Sequence, residues 1–198
     1  MADAIACSRL YLASGSPRRA ELLAQIGVPF EVLRAPDIDE TPAPGEAPRA
    51  YVERMAREKA AAGRARAPAG APVLGADTAV VLGERILGKP DDADDALATL
   101  TLLNGREHRV ISAVCLMRGD AWRLNVSETR VRLRDLDPAT LAAYAATGEG
   151  LDKAGAYGIQ GRGAALVATI TGSYSGVVGL PLAETVALLE WAGVPYWQ

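Results

Sequence analysis

The chain has 198 residues, of which 49% are hydrophobic and 23% charged, and its formal net charge is −3. These values fit one globular domain, or two closely joined lobes, and exclude a disordered chain. The slightly acidic balance argues against a nucleic-acid binder that uses a basic surface, so a polyanionic ligand must meet a local cluster of positive residues.

Cysteine usage and the N-terminal sequence predict a cytoplasmic protein. Cys7 and Cys115 lie far apart and outside any C-x-x-C motif, which favours reduced, buried thiols. No basic segment followed by an apolar run marks a signal peptide. Residues 164–183 carry no charge, but their threonines, serines, glycines and proline are typical of a strand, a loop and a helix start, so we expect no membrane span.

Apolar spacing and turn residues predict alternating strands and helices. The first predicted elements are a strand over residues 9–13, a helix over 17–26, a strand over 28–33, a helix over 48–66 and strands over 73–82 and 85–87. The later ones are a helix over 91–103, strands over 107–117 and 121–133, a helix over 138–147, a strand over 164–170 and a helix over 181–192. Because hairpin-like pairs occur among them, we expect an α/β fold with a mixed central sheet flanked by helices.

The first strand-to-helix junction carries a candidate phosphate site, Ser14-Gly15-Ser16-Pro17-Arg18-Arg19. Ser16 is a suitable N-cap, and Pro17 occupies the helical position where proline is favoured. A helix start offers unpaired backbone N–H groups, and two arginines add fork-shaped, charge-assisted donors. The alternative is a capped surface helix whose arginines face water. The P-loop pattern G-x-x-x-x-G-K-[ST] does not occur in the chain.

Asp77 lies in the middle of the apolar strand predicted over residues 73–82. An ionised carboxylate there is costly unless a cation or a metal compensates its charge. Gly75 and Ala76 leave room for another group to approach the strand backbone. The alternative is a carboxylate that hydrogen-bonds to a neighbouring loop.

The chain uses 18 arginines but only three lysines, Lys59, Lys89 and Lys153. Such a composition accepts arginine wherever a generic positive charge suffices, so the lysines are candidates for sites that need a compact charge. Lys59 lies on the apolar stripe of a predicted helix, and Lys89 follows the hairpin that starts at Asp77. The alternative is that the three lysines have no special role.

A glycine-rich loop, Tyr157-Gly158-Ile159-Gln160-Gly161-Arg162-Gly163, presents Gln160. Its glycine order is wrong for a dinucleotide fingerprint, and it precedes a strand instead of following one. A carboxamide donates and accepts hydrogen bonds at once and so matches the imide edge of uracil or thymine. The alternative is an ordinary glycine-rich turn.

The residue inventory excludes several chemistries. His108 is the only histidine and lies in a predicted strand, so neither a histidine-based zinc site nor a Ser-His-Asp triad is available. The run Gly172-Ser173-Tyr174-Ser175-Gly176 does not match G-x-S-x-G. Carboxylates, lysines and arginines remain, and these groups are typical of metal-assisted phosphate chemistry.

With these residues assembled, the chain resembles the Maf family of nucleoside triphosphate pyrophosphatases over nearly its whole length. The resemblance rests on five stretches in one order: Leu12-Ala13-Ser14-Gly15-Ser16-Pro17-Arg18-Arg19, Gly75-Ala76-Asp77-Thr78, Gly88-Lys89-Pro90, Asp152-Lys153-Ala154-Gly155-Ala156-Tyr157-Gly158-Ile159-Gln160-Gly161, and Val178-Gly179-Leu180-Pro181. Several motifs in order are far more specific than any single one.

The resemblance implies a single Maf/ITPase-like domain over residues 1–198, with two lobes around a cleft, often dimeric, and a divalent metal cofactor, Mg²⁺ or Mn²⁺. Asp77 matches the family's proton acceptor. Arg18, Thr78 and Gln160 match the positions that distinguish its subgroups, and their combination is similar to the subgroup acting on dTTP and UTP. A sister subgroup that prefers 7-methylguanosine triphosphate carries tryptophan at the position of Arg18.

For this activity we expect the following residues to bind the substrate: Ser14, Ser16, Arg18, Arg19, Lys59, Thr78, Lys89, Lys153 and Gln160. Asp77 and Glu40 are the expected metal ligands, and Asp77 orients or deprotonates water for attack at the α-phosphorus. Nearby cations should keep Asp77 ionised and therefore a weak base. Two alternatives stay open: a pyrophosphatase for inosine-type or other modified nucleotides, and a non-catalytic nucleotide-binding regulator of cell division.

Overall fold

A computed structural model describes residues 9–33 and 38–198 as strands and helices in alternation. The strands are β1 (Leu10–Ala13), β2 (Phe30–Leu33), β3 (Val73–Leu82), β4 (Arg85–Leu87), β5 (Glu107–Arg118), β6 (Ala121–Leu133) and β7 (Val167–Thr171). The helices are α1 (Pro17–Gln25), α2 (Pro48–Arg64), α3 (Ala93–Leu103), α4 (Pro138–Ala145), α5 (Tyr174–Val178) and α6 (Leu182–Ala192). Two short 3₁₀ turns, Ala154–Ala156 and Arg162–Leu166, precede β7. Cys7 lies outside the described residues, and Cys115 is a buried free thiol.

Within the described residues, the strands form one seven-stranded sheet in the order β2-β1-β3-β5-β6-β7, with β4 paired to β3. β1 is parallel to β2 and β3, whereas β3–β4 and β6–β7 are antiparallel. Helices carry the chain between the parallel strands, and Gly83, with a φ of 62°, permits the tight β3–β4 turn. The predicted mixed sheet flanked by helices is confirmed.

The chain divides into two compact units. Of the described residues, unit 1 comprises 9–33, 38–77, 113–126 and 179–198, and unit 2 comprises 78–112 and 127–178. Three of the four boundaries fall within strands β3, β5 and β6, and the fourth follows the last residue of α5, Val178. The cleft between two lobes that the resemblance implies stays a prediction.

In unit 1, α2 lies very close to β3. The buried face of α2 consists mainly of apolar and small residues, Pro48, Tyr51, Val52, Met55, Ala56, Ala60 and Gly63. A Cβ atom added at Gly75 would lie 2.4 Å from both the Ala56 carbonyl oxygen and the Ala60 nitrogen. Only glycine allows this approach, so the group that uses the space beside Gly75 is the helix backbone.

Unit 2 has its own apolar core. Helix α3 packs against α4 and the first 3₁₀ turn. The cluster includes residues that are almost fully buried, among them Leu100, Leu103, Val131, Leu133 and Leu166. This packing supports the glycine-rich segment over residues 158–163, because Tyr144 and Tyr157 belong to the same core.

Most predicted elements begin and end within about two residues of the observed ones. Two local predictions are wrong: residues 164–166 belong to a 3₁₀ turn and not to a strand, and α5 was not predicted. Helix α5 has five residues, too few for apolar periodicity to reveal it. Its start is stabilised by the Ser173 hydroxyl oxygen, which accepts a hydrogen bond from the Gly176 N–H.

The uncharged segment over residues 164–183 lies in short elements. It spans a 3₁₀ turn, β7, α5 and the first residues of α6. In the part of the chain that the structure describes, no helix combines the length and the apolar character needed to cross a bilayer.

Candidate active site

Unit 1 contains a charged cluster around Asp77, a residue of β3 that is 5% exposed. The Lys59 Nζ atom lies 2.7 Å from Asp77 Oδ1 and 2.9 Å from Glu40 Oε1. The Asp77 side chain is 7% exposed and that of Glu40 is 54% exposed. One ammonium group therefore joins a buried carboxylate to a carboxylate that faces solvent.

The position of Lys59 follows from the helical repeat of α2. Tyr51, Met55 and Lys59 are spaced four residues apart and so lie on the same face of the helix. The close approach at Gly75 brings this face to β3, where Asp77 meets Lys59. The Tyr51 hydroxyl donates to the Glu40 carbonyl oxygen at 2.9 Å and so holds the loop that carries Glu40.

Burial raises the pKa of Asp77 above its ordinary value, although the Lys59 and Arg19 charges and the Lys59 hydrogen bond act in the opposite direction. The Glu40 carboxylate adds to the rise. The two cations therefore act on the pKa in the expected direction, but burial outweighs them and the net shift is upward instead of downward. Removal of this carboxylate from water raises its pKa by more than the two cations lower it.

Arg19 links the start of α1 to the cluster. Its Nη1 donates to Ser14 Oγ at 3.1 Å, and its Nε donates to the Gly179 carbonyl oxygen at 2.9 Å. Burial lowers the pKa of Arg19, whereas the Asp77 and Glu40 charges raise it. Arg18 is half-buried beside it.

Ser14 is buried and accepts two hydrogen bonds. Besides the Arg19 guanidinium, the Ser16 N–H donates to Ser14 Oγ at 3.2 Å. Ser16 stands at the N-cap position of α1, but its side chain makes no capping hydrogen bond, so the predicted cap is wrong in its side-chain contact. Because both contacts use Ser14 Oγ as the acceptor, its hydroxyl hydrogen can still be donated to an anion.

Thr78 belongs to unit 2 and is held by its hydroxyl. Thr78 Oγ1 lies 2.8 Å from Ser112 Oγ, and Ser112 donates to the Gly176 carbonyl oxygen at 2.6 Å. A serine hydroxyl has one hydrogen, so Thr78 is the donor toward Ser112. Lys89, in the same unit, is exposed.

Lys153 and Gln160 lie in the glycine-rich region of unit 2. The Lys153 ammonium contacts Asp152 Oδ1 and the Glu149 carbonyl oxygen, each at 2.5 Å. Gln160 is exposed on a turn. The structure thus brings Ser14, Arg19, Glu40, Lys59 and Asp77 together in unit 1 and places Thr78, Lys89, Lys153 and Gln160 in unit 2.

Sequence reasoning missed four polar residues that hold predicted site residues or their loops: Tyr51, Ser112, Tyr144 and Glu149. Glu149 had a signal, because it stands between Gly148 and Gly150 directly before the motif that contains Lys153. Tyr51 also had one, because it lies on the same helical stripe as Lys59. Ser112 and Tyr144 lie in apolar segments that read as core.

The donor set around Lys59 suits a divalent cation that the substrate helps to bind. Over residues 9–33 and 38–198, no group of three histidine, cysteine, aspartate or glutamate residues is placed to hold a metal ion. Asp77 and Glu40 are hard oxygen donors, and one oxygen of each contacts the same Lys59 ammonium. Mg²⁺ is commonly bound by one or two carboxylates together with substrate phosphates, so these two residues fit such an ion.

Comparison with known proteins agrees with the motifs. The family described as Maf-like protein matches residues 9–192. The chain belongs to the Maf family. A dTTP/UTP pyrophosphatase of Alcanivorax borkumensis is 64% identical over 96% of this chain and 98% of its own length. A dTTP/UTP pyrophosphatase of Aromatoleum aromaticum is 52% identical over 95% and 97%.

Solved structures also match this Maf-family chain, among them the following one. It is a nucleoside-triphosphatase, a dITP/XTP pyrophosphatase from Mycobacterium abscessus, with 20% sequence identity and a TM-score of 0.42. The match covers 65% of this chain and 75% of that chain.

Proposed function

We propose that this Maf-family protein hydrolyses dTTP and UTP to the nucleoside monophosphate and pyrophosphate. The observation that carries the proposal is the contact of Lys59 with both Asp77 and Glu40 in unit 1. A buried carboxylate with a raised pKa, adjoining cations and a solvent-facing acid, suits proton transfer at a polyanionic substrate. The names of the relatives support the same activity.

Asp77 is the general base of the proposed reaction. Its burial raises its pKa above the ordinary value, which makes the carboxylate a stronger base than an exposed aspartate. Asp77 takes a proton from water as the water oxygen bonds to the α-phosphorus. The bond between the α-phosphorus and the bridging oxygen breaks, and pyrophosphate leaves with the electron pair.

The triphosphate is bound by cations and by the start of α1. Arg19 and Lys59, which lie in the Asp77 cluster, neutralise its charge, and Lys89 is another cation of the predicted set. The Ser14 hydroxyl and the backbone around Ser16 donate hydrogen bonds to phosphate oxygens, as helix starts commonly do. Lys153 is a further cation of the predicted set.

Asp77 and Glu40 would hold a Mg²⁺ or Mn²⁺ ion, which would neutralise the charge of the phosphate oxygens when bound. The shared Lys59 contact supports this assignment, because it places oxygen atoms of both side chains around one cationic group. Glu40 faces solvent and so can meet an ion that arrives with the nucleotide.

Gln160 reads the base in this proposal. Its carboxamide donates to one group and accepts from another, which matches the carbonyl and N–H of uracil and thymine. Arg18 and Thr78 complete the three positions that the family resemblance connects with substrate preference. Exposure of Gln160 on its turn supports the role.

The test is pyrophosphate release from dTTP, UTP, CTP, GTP and ITP, each with and without Mg²⁺. The expected result is metal-dependent release that is fastest with dTTP and UTP. Preference for ITP would favour the alternative of a pyrophosphatase for modified purines. Binding of UTP without release at saturating Mg²⁺ would favour a non-catalytic regulator.

The assembly state and the location of the protein belong to the same proposal. The resemblance implies that a homodimer is one assembly open to the protein, which size-exclusion chromatography with light scattering tests as a mass near twice 20.7 kDa. We expect a cytoplasmic protein, which fractionation of the source cells tests. A monomer would rule out the homodimer, and recovery outside the cytoplasm would contradict the expected location.

A further inference from the structure

Glu149, a half-buried residue of unit 2, has its carboxylate at the centre of the glycine-rich loop. Its Oε2 accepts a hydrogen bond from the Arg162 N–H at 2.9 Å. Its Oε1 accepts one from the Gly163 N–H at 2.9 Å and one from the Tyr144 hydroxyl at 3.1 Å. A side chain from outside the loop thus binds two successive backbone amides just after Gln160.

Tyr144 extends this contact to the other side of Gln160. Its hydroxyl oxygen accepts a hydrogen bond from the Gly158 N–H at 3.1 Å while its hydrogen is donated to Glu149. The backbone before Gln160 is therefore held at Gly158, and the backbone after it at Arg162 and Gly163. Gln160 itself stays exposed between the held positions.

The glycines of the loop lie close to side chains that surround it. A Cβ atom at Gly161 would lie 2.6 Å from Glu149 Oε2. A Cβ atom at Gly158 would lie 2.7 Å from Lys153 Cε, and one at Gly163 would lie 2.7 Å from the Tyr144 hydroxyl oxygen. The loop backbone thus packs closely against the side chains of Glu149, Lys153 and Tyr144, unlike the backbone of an open turn.

The charge of Glu149 is stabilised by these donors. Burial alone would raise the pKa of Glu149, but the amides of Gly163 and Arg162, the Tyr144 hydroxyl and the Lys153 charge outweigh it, so the pKa lies below its ordinary value. An anion stabilised in this way is a strong acceptor, and charge-assisted hydrogen bonds are about twice as strong as neutral ones.

We propose that Glu149 is a positioning residue for nucleobase selection: it holds the loop over residues 158–163 so that Gln160 is presented in the orientation that recognises uracil and thymine. The inference rests on the proposed function, because Gln160 must read the base for its orientation to matter. Glu149 acts through the loop backbone and takes no part in the chemical step.

The test is the ratio of kcat/KM for UTP to kcat/KM for CTP in Glu149→Gln. The glutamine amide places an N–H donor against a backbone N–H donor, so the loop loses part of its hold. The ratio should fall about tenfold, the size of one displaced specificity contact, while kcat at saturating UTP changes less than about threefold. An equal loss of kcat/KM for UTP and CTP would assign Glu149 a merely structural role and overturn the proposal.

Glu128→Gln is the matched control. Glu128 lies on β6 in the same unit and pairs with Arg109 at 3.5 Å, away from the amides of the loop. Its substitution should leave the UTP-to-CTP ratio unchanged. A fall as large as that in Glu149→Gln would attribute the change to any lost acid and would overturn the proposal.

Tyr144→Phe provides a milder variant should Glu149→Gln fold poorly. It removes only the hydroxyl that joins Gly158 to Glu149. The same ratio should fall about threefold, with kcat for UTP nearly unchanged. A ratio equal to that of the wild type would contradict the role of the Tyr144 hydroxyl in holding the loop.

A double variant connects the effect to Gln160. If Glu149 acts through Gln160, the ratio in Glu149→Gln/Gln160→Ala should equal that in Gln160→Ala alone. A further fall in the double variant would overturn the proposal. If Gln160→Ala leaves the ratio unchanged, base recognition in the proposed function fails and the inference with it. If Gln160→Ala lowers the ratio and Glu149→Gln does not, only the positioning role fails.

Amide hydrogen exchange tests the loop without reference to activity. The Arg162 and Gly163 amides should exchange faster in Glu149→Gln than in the wild type and in Glu128→Gln. Unchanged exchange at both amides would show that the carboxylate does not hold the loop.

Discussion

Two carboxylates in the molecule are compensated in opposite ways. Asp77, in unit 1, is buried and relies on two cationic side chains, and burial still raises its pKa. Glu149, in unit 2, binds two backbone amides and a tyrosine hydroxyl, and its pKa lies below its ordinary value. Both carboxylates have a lysine beside them, so a neighbouring cation does not by itself decide the direction of the shift.

The difference lies in the number of hydrogen-bond donors that each carboxylate receives and in how much water it loses. Amide donors stabilise the anion of Glu149 directly and so favour its charged form, which suits a group that holds a loop. Asp77 has the Lys59 hydrogen bond and little solvent, which leaves a carboxylate closer to accepting a proton. The first arrangement suits structure, and the second suits acid–base chemistry.

Substitution of Lys59 beside Asp77 and of Lys153 beside Glu149 should show the largest difference between the two regions. Lys59→Met leaves Asp77 buried without its ammonium partner, so the free energy of unfolding should fall by about 3–5 kcal/mol at pH 7. Lys153→Met should cost less than about 1 kcal/mol, because its Asp152 partner is 65% exposed and the Glu149 carboxylate keeps its amide and hydroxyl donors. Urea unfolding of the two variants measures the contrast. Equal losses would mean that burial does not distinguish the two regions.

The approach of α2 to β3 can be disturbed without changing a charge. Gly75→Ala forces a Cβ atom to within 2.4 Å of the α2 backbone, so the free energy of unfolding should fall by about 3 kcal/mol. A Cβ atom at Gly88 in unit 2 meets nothing within 4 Å, so Gly88→Ala should cost less than about 0.5 kcal/mol. Thermal or urea unfolding checks both values. A harmless Gly75→Ala would show that α2 can retreat from the strand.

His108 is a buried titratable residue of unit 2 whose neutral form is favoured, in contrast to the carboxylate of Glu149. Its Nε2 lies 2.8 Å from the Tyr157 hydroxyl, and burial lowers its pKa to about 4 from 6.5. Between about pH 6.5 and pH 4, His108 is protonated in the unfolded chain but stays neutral in the folded chain. The free energy of unfolding therefore falls as the pH decreases through this window.

The expected loss from this one group between pH 7 and pH 5 is about 2 kcal/mol. His108→Gln should remove that part of the pH dependence, as measured by urea unfolding at the two pH values. An unchanged slope in the variant would contradict the assignment of acid sensitivity to His108.

Much of the fold could be predicted from the sequence, because long apolar segments carry a clear period. Strand β3 and the hairpin to β4 have the predicted bounds, since an apolar run ends at Gly83 and Glu84. Helix α5 could not be predicted, because five residues do not complete a periodic pattern and a serine hydroxyl stabilises its start. The reason for a glycine at position 75 could not be predicted either, because a helix distant in sequence fills the space beside it.

The candidate site likewise contains residues that the sequence reveals and residues that it does not. Asp77 and Lys59 stood out because a charged residue in an apolar strand or stripe needs a partner. Their contact, at 2.7 Å, is in the structure, whereas their roles in binding and catalysis stay predictions. Glu149 was missed because its partners are backbone amides, which every residue type carries. The direction of the Asp77 pKa shift depends on burial, and a sequence gives no measure of that.

The central claim is that Asp77 carries the chemical step, and the most direct test is the rate of pyrophosphate release from UTP by Asp77→Asn. Circular dichroism and the melting temperature should first show that the variant is folded. At saturating UTP and Mg²⁺, we predict a fall in kcat of about 10²- to 10⁴-fold, the usual size of a lost acid–base role. Release of pyrophosphate by folded Asp77→Asn at the wild-type rate would contradict the account.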